Sequence, residues 1–155
     1  MARARCPVAR RCFAQQGVRP AGLMRRLGGL VYDTFLVVAL LIVLGFVGVA
    51  ANGGEANQSP LFRSLLLVAM FAFFAYFWSR SGMTLGMQAW RLRLQTPEGC
   101  APTLPQCLLR FLVAGLSLGC GGLGYLWQLW DPEHRSWHDI ASGTRVVVVP
   151  RPSRA

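Results

Sequence analysis

Residues Leu27 to Ala51 form an apolar run of 25 residues in which the only charge is Asp33. As a helix rising 1.5 Å per residue, the run is long enough to cross a hydrocarbon layer of about 30 Å with some tilt, so it reads as a transmembrane helix. A cleaved signal peptide is the competing reading. Arg10 and Arg11 followed by Cys12 and Phe13 faintly resemble a twin-arginine signal, and Val49 and Ala51 suit a signal-peptidase site. A signal core, however, needs only about 7 to 15 apolar residues and does not normally carry an Asp, which favours an uncleaved span.

The rest of the chain agrees with a membrane setting. Its 155 residues suffice for one domain, and 54% are hydrophobic, above the share usual in soluble domains. All 16 basic residues are Arg, giving a formal net charge of +10. Seven of them lie within residues 1–26 with no acid among them, the asymmetry of a membrane flank. Nucleic-acid binding would need these arginines interleaved with aromatic or polar residues on a folded surface, and the sequence offers no such footprint. The five cysteines, at 6, 12, 100, 107 and 120, form no C-x-x-C pair, and no His stands where it could complete a zinc site with them. They are expected to be reduced, small apolar residues, and no cofactor is expected.

Asn52 to Pro60 is rich in turn residues, has Glu55 and lacks Arg, and is expected to face outward. Leu61 to Trp78 is the second span, with Tyr76 and Trp78 as interface anchors and Arg80 marking the return to the cytoplasm. Trp90 to Gln95 alternates with period two and is closed by Thr96, Pro97, Glu98 and Gly99, which predicts a strand and its turn. The β-branched run Val146 to Val149 is stopped by Pro150, and Arg145 to Val149 is expected to pair with Trp90 to Leu94, since neither segment can satisfy its backbone alone.

The third apolar run, Cys107 to Trp130, contains Arg110 and five glycines between Gly115 and Gly124. Each glycine inside a helix costs roughly 0.5–1 kcal/mol relative to Ala, so a break is expected there. A single crossing would leave Arg135, Arg145, Arg151 and Arg154 outside, against the positive-inside bias, whereas a re-entrant hairpin keeps them inside. The competing reading is one straight helix with Gly115 and Gly119 as a packing face. The fold class expected is thus an all-α membrane protein with two transmembrane helices, a broken or re-entrant third hydrophobic segment and a small cytoplasmic β pairing. Residues 1–20 read as a basic, disordered cytoplasmic segment and residues 150–155 as a tail. The chain as a whole is placed in a bacterial inner (plasma) membrane, multi-pass, with its N-terminus in the cytoplasm.

Arg26 and Asp33 lie seven residues apart, two helical turns, and so project from nearly one face, sharing an orientation without bonding each other. A carboxylate inside a span is costly and by default faces a partner or a wet cavity. Arg110 is the partner the sequence suggests.

Ala21, Gly22, Arg26, Leu27 and Asp33 resemble the opening signature of the RDD family, named for one Arg and two Asp. Thr84, Leu85 and Gly86 with the following strand resemble its T-L-G segment. Arg110, the stretch Gly122 to Tyr125, and His138, Asp139, Gly143, Thr144, Arg145 and Val146 resemble its H-D and G-T-x-V ending. The resemblance covers about residues 21–149, the expected membrane domain. It implies Arg26 and Asp33 as the first two signature positions and Asp139 as the third, with Asp131 as a rival. The chain departs at Gly28 and Gly29, where the family has bulkier residues, and at Met87, where a lysine often follows T-L-G.

Function is less constrained, since a fold does not supply one. The first expectation is a transporter or transporter component for protons, cations or small ligands, with Arg26, Asp33, Arg110 and Asp139 along the path and Thr84, Gly86, His138 and Thr144 in support. Three membrane segments scarcely enclose a path, so this reading requires, besides the lipid bilayer, a homo-oligomer or a membrane partner subunit. The alternative is a non-catalytic adaptor or assembly factor in which these charges only lock helices to strands. No enzyme activity is expected, because Ser136, His138 and Asp139 are too close in sequence to meet as a triad.

Overall fold

The computed structural model describes residues 11–150. Helix α1 covers Leu23–Ala51 and ends at Asn52, after which Gly53 and Gly54 turn the chain with positive φ. It begins four residues before the expected span, because Leu23 to Arg26 are all good helix formers. Helix α2 covers Pro60–Arg80; Pro60 fits its first turn, and the Ser59 hydroxyl accepts from the Phe62 N–H at 3.2 Å. Both helices are long and apolar enough to cross a membrane. Their apolar side chains point outward, with Phe35 and Phe46 each 72% exposed, the inverse of a soluble core.

Thr84 caps a short helix, α3 (Leu85–Ala89), that the sequence pattern did not reveal. Arg91 then adopts φ +55°, so the strand expected from Trp90 starts only at Leu92. The two-residue strand β1 (Arg19–Pro20), β2 (Leu92–Gln95) and β3 (Arg145–Val148) form one antiparallel sheet in the order β1-β3-β2. Leu92 pairs with Val148 and Leu94 with Val146, so the two segments expected to pair do so, and the ladder extends to Gln95 opposite Arg145. Strand β1 adds a partner on the other side of β3, with Arg19 opposite Val148.

Residues 13–15, within the N-terminal segment, pack against the sheet. Arg93 explains why: its guanidinium lies 4.7 Å from the Phe13 ring centroid and donates to the Ala14 carbonyl at 2.8 Å. Gln95 donates to the Gln15 side chain at 2.7 Å, and the backbones of Cys12 and Cys100 form an isolated antiparallel β-bridge. The segment covers the second face of β2, which is why all four β2 residues are buried. The expectation of five reduced cysteines fails at Cys100, which is disulfide-bonded. Residues 1–10, and residues 151–155 of the expected tail, lie outside the described residues.

The third apolar run is broken. Helix α4 (Leu104–Gly119) opens with a reciprocal cap between Thr103 and Gln106 and stops where Gly121 and Gly122 take φ +70° and +80°. After this break the chain turns by 107° into α5 (Leu123–Leu126) and a 3-10 turn at Trp127–Leu129. Helix α6 (Trp137–Ser142) follows, with Ser136 and Asp139 as its capping box and Gly143 in the left-handed conformation at its end. The buried apolar cluster gathers where the sheet meets the helix ends, around Ala21, Trp78, Leu92, Leu94, Cys107 and Val146.

Candidate functional site

Helix α1 buries one stripe near its start, with Arg26, Gly29, Asp33 and Val37 recurring at helical spacing. The expected common orientation of Arg26 and Asp33 is thus observed, and each has partners of its own. Arg26 Nη1 donates to Asp139 Oδ2, its Nε to the Ala21 carbonyl at 3.0 Å and its Nη2 to the His134 carbonyl at 3.0 Å. Arg110, from the buried face of α4, donates from Nη1 to Asp139 Oδ1 at 2.5 Å and to Thr144 Oγ1 at 3.0 Å. Its guanidinium also lies 5.6 Å from the Trp78 ring centroid.

One carboxylate thus receives two arginines from two helices, and the Ser136 N–H adds a third donor at 3.2 Å. Position N3 of α6 is what aims Asp139 at both, since the capping box turns its side chain back toward the helix start. Burial pushes the Asp139 carboxyl up, but the adjacent guanidiniums of Arg110 and Arg26 outweigh it and hold the group below the usual carboxylate range. The rival position, Asp131, pairs with Arg135 at 3.1 Å nearer the surface.

Asp33 is held differently. The Thr84 hydroxyl donates to Oδ2 and the Gly86 N–H to Oδ1 at 2.9 Å. Thr84 Oγ1 accepts in turn from the Met87 N–H at 3.2 Å, so one hydroxyl both caps α3 and serves Asp33. Among the described residues Asp33 forms no ion pair, and the expected partnership with Arg110 is corrected: Arg110 reaches Asp139 because α6 packs along α4. A Cβ on Gly86 would stand 2.5 Å from the Gly29 carbonyl oxygen and 2.8 Å from the Asp33 nitrogen, so only glycine lets α3 approach α1 this closely. The departure at Gly28 has a similar origin, since the Trp90 ring occupies the space a larger side chain would need.

Arg26, Asp33, Arg110 and His138 line a common cavity of about 80 Å³, walled also by Trp78 and Tyr125. It has room for a few water molecules. Arg26 also lines, with Asp139, an open groove of about 710 Å³ beside the sheet, so Arg26 borders both groove and cavity. His138 packs against Tyr125 with ring centroids 4.6 Å apart and meets the Ser136 hydroxyl through Nε2 at 2.8 Å, while its Nδ1 has no partner among the described residues. Burial first, and then the Arg110 charge, push its pKa down to about 3, which keeps the ring neutral.

Ser136 and His138 therefore do touch, contrary to expectation, because a capping serine and the second residue of its helix share one side. Asp139 serves the arginines and not the imidazole, and both Ser136 and His138 are buried. Ser136 was overlooked as a site residue, although the spacing S-x-x-D was legible as a capping signal. Ser117 and Gln128, buried with side-chain atoms that lack partners among the described residues, carried no such signal. Among the described residues no three His, Cys, Asp or Glu side chains converge as a metal site would require.

No curated protein and no solved structure matches the chain. The RDD family pattern matches residues 20–143, a span that holds Arg26, Asp33, Arg110 and Asp139 together with both long apolar helices. On that match, the chain belongs to the RDD family.

Proposed function

We propose that this chain is an integral protein of a bacterial inner membrane that takes part in moving protons, cations or small ligands, as a homo-oligomer or with a membrane partner subunit. The observation that carries this reading is Asp33, a buried carboxylate on a cavity wall whose donors are a hydroxyl and an amide, both neutral. A carboxylate needed only for helix locking would be expected in an ion pair. The test is exchange in vesicles: purified protein reconstituted with pH-sensitive and cation-sensitive dyes should dissipate an imposed gradient faster than protein-free vesicles. No exchange under any cation gradient would leave transport without support.

The sheet supports a re-entrant third segment. β1 precedes α1, β2 follows α2, and β3 follows the third run, yet all three are hydrogen-bonded together. Hydrogen-bonded strands share one side of a membrane, so α1 and α2 form a two-crossing hairpin and the third run returns to the side it left. The concentration of arginine on the sheet side favours the cytoplasm for that side.

The adaptor reading rests on a different observation. Arg26, Asp139 and Arg110 satisfy one another and join α1, α4 and α6, which is the work of a structural lock. Both readings are non-catalytic, and the burial of the contact between Ser136 and His138 fits them.

A further inference from the structure

A second groove, of about 830 Å³, opens where α1 leaves the sheet. Arg19 and Arg25 line it together with Leu23, Met24 and Leu129. Met24 is 77% and Leu129 is 59% exposed, and both arginines are exposed without an ion-pair partner among the described residues. No acid is among its lining residues, whereas in the neighbouring groove Arg26 and Arg135 are already paired with Asp139 and Glu133.

We propose that this groove seats the headgroup of an anionic phospholipid, its phosphate held by Arg19 and Arg25 and its glycerol and upper acyl carbons against Leu23, Met24 and Leu129. The inference rests on the membrane placement proposed above. Guanidinium is suited to the role: it is planar, permanently charged and able to donate two parallel hydrogen bonds to phosphate oxygens. The apolar wall continues into the outward face of α1, where Val31, Tyr32 and Phe35 are exposed, so acyl chains leaving the groove meet a surface already matched to hydrocarbon. A soluble phosphate compound would gain from the two arginines but would leave Met24 and Leu129 in water.

The test uses the full-length protein in detergent, titrated with phosphatidylglycerol, phosphatidylcholine or glycerol 3-phosphate while its thermal unfolding midpoint is followed. Phosphatidylglycerol should raise the midpoint and the other two should not. The pair Arg19→Gln with Arg25→Gln should weaken phosphatidylglycerol binding roughly 30-fold, from about 1 kcal/mol per arginine at an anionic surface, without moving the lipid-free midpoint. The pair Arg19→Lys with Arg25→Lys keeps the charge and should retain the preference for phosphatidylglycerol. Equal affinity of wild type and the Gln pair overturns the proposal, as does a midpoint rise with glycerol 3-phosphate matching that with the lipid. Carbonate extraction of cell membranes separates the two layers of inference: protein in the pellet without a phosphatidylglycerol preference sinks the lipid site alone, and protein in the supernatant sinks the membrane placement and the site together.

Discussion

The Gly86 N–H donates to Asp33 Oδ1 at 2.9 Å, and with that one bond the first turn of α3 is fastened to the middle of the buried stripe of α1. The approach is backbone to backbone, with the Gly29 carbonyl opposite the Gly86 Cα.

Gly86→Ala tests this approach. The new methyl group would meet the main chain of α1, which cannot rotate aside as a flexible side chain could. Overpacking of this kind costs about 1–3 kcal/mol, so the variant should unfold at a distinctly lower temperature in detergent. An unchanged midpoint would show that α3 can slide on α1.

Asp33→Asn separates the two functional readings. The amide oxygen can still accept from the Gly86 N–H, and the amide nitrogen can donate to Thr84 Oγ1, so the fold should survive with a loss near 1 kcal/mol. Exchange in vesicles should nonetheless stop, because the titratable charge is gone. Normal yield of monodisperse protein together with undiminished exchange would remove Asp33 from the transport path.

Asp139→Asn should behave in the opposite way. It removes the only carboxylate paired with Arg26 and Arg110 among the described residues and leaves two buried guanidiniums without a counter-charge. Breaking such a pair costs about 3–5 kcal/mol, so the variant should be scarce in membranes. Asp131→Asn, at a more exposed pair, is the control and should accumulate normally. Similar abundance of the two variants would refute the ranking.

Acid should destabilise the protein through His138. Its folded pKa is depressed to about 3, so as pH falls below about 6.5 the unfolded chain takes up a proton that the folded chain refuses. Stability should therefore drop by about 1.4 kcal/mol per pH unit between about pH 6.5 and 4. Asp139 adds a further loss only below the ordinary carboxylate range, since its depressed folded pKa gives a contribution present above 3.8 and lost as pH falls through the folded value. His138→Gln should flatten the upper part of this profile, as read by unfolding midpoints at stepped pH. A variant with the same slope as wild type would move the cause elsewhere.

The tail should lie on the same side of the membrane as the residues before α1. A fluorescent reporter fused after Ala155 should be bright in the cytoplasm, and a phosphatase active only outside should be silent there. The reverse pattern would invert the topology.

Elements whose cause is local could be read from the order of residues. Two long apolar runs dictate two long helices wherever the chain folds, because a backbone in hydrocarbon must bond to itself. Clustered glycines dictate the break after Gly119 because helix interior conformations are least favourable for them. The alternation of Leu92 to Gln95 and the branched run after Arg145 dictate strands. Tertiary structure alone decided the pairing of charges. Asp33 and Arg110 are each positioned correctly on their own helices, but which carboxylate Arg110 meets depends on how α6 lies along α4, a relation between segments that no periodicity encodes. The packing of residues 13–15 was hidden for the same reason: a polar and basic segment reads as solvated until Arg93 and Gln95, on the far face of β2, supply the partners that hold it.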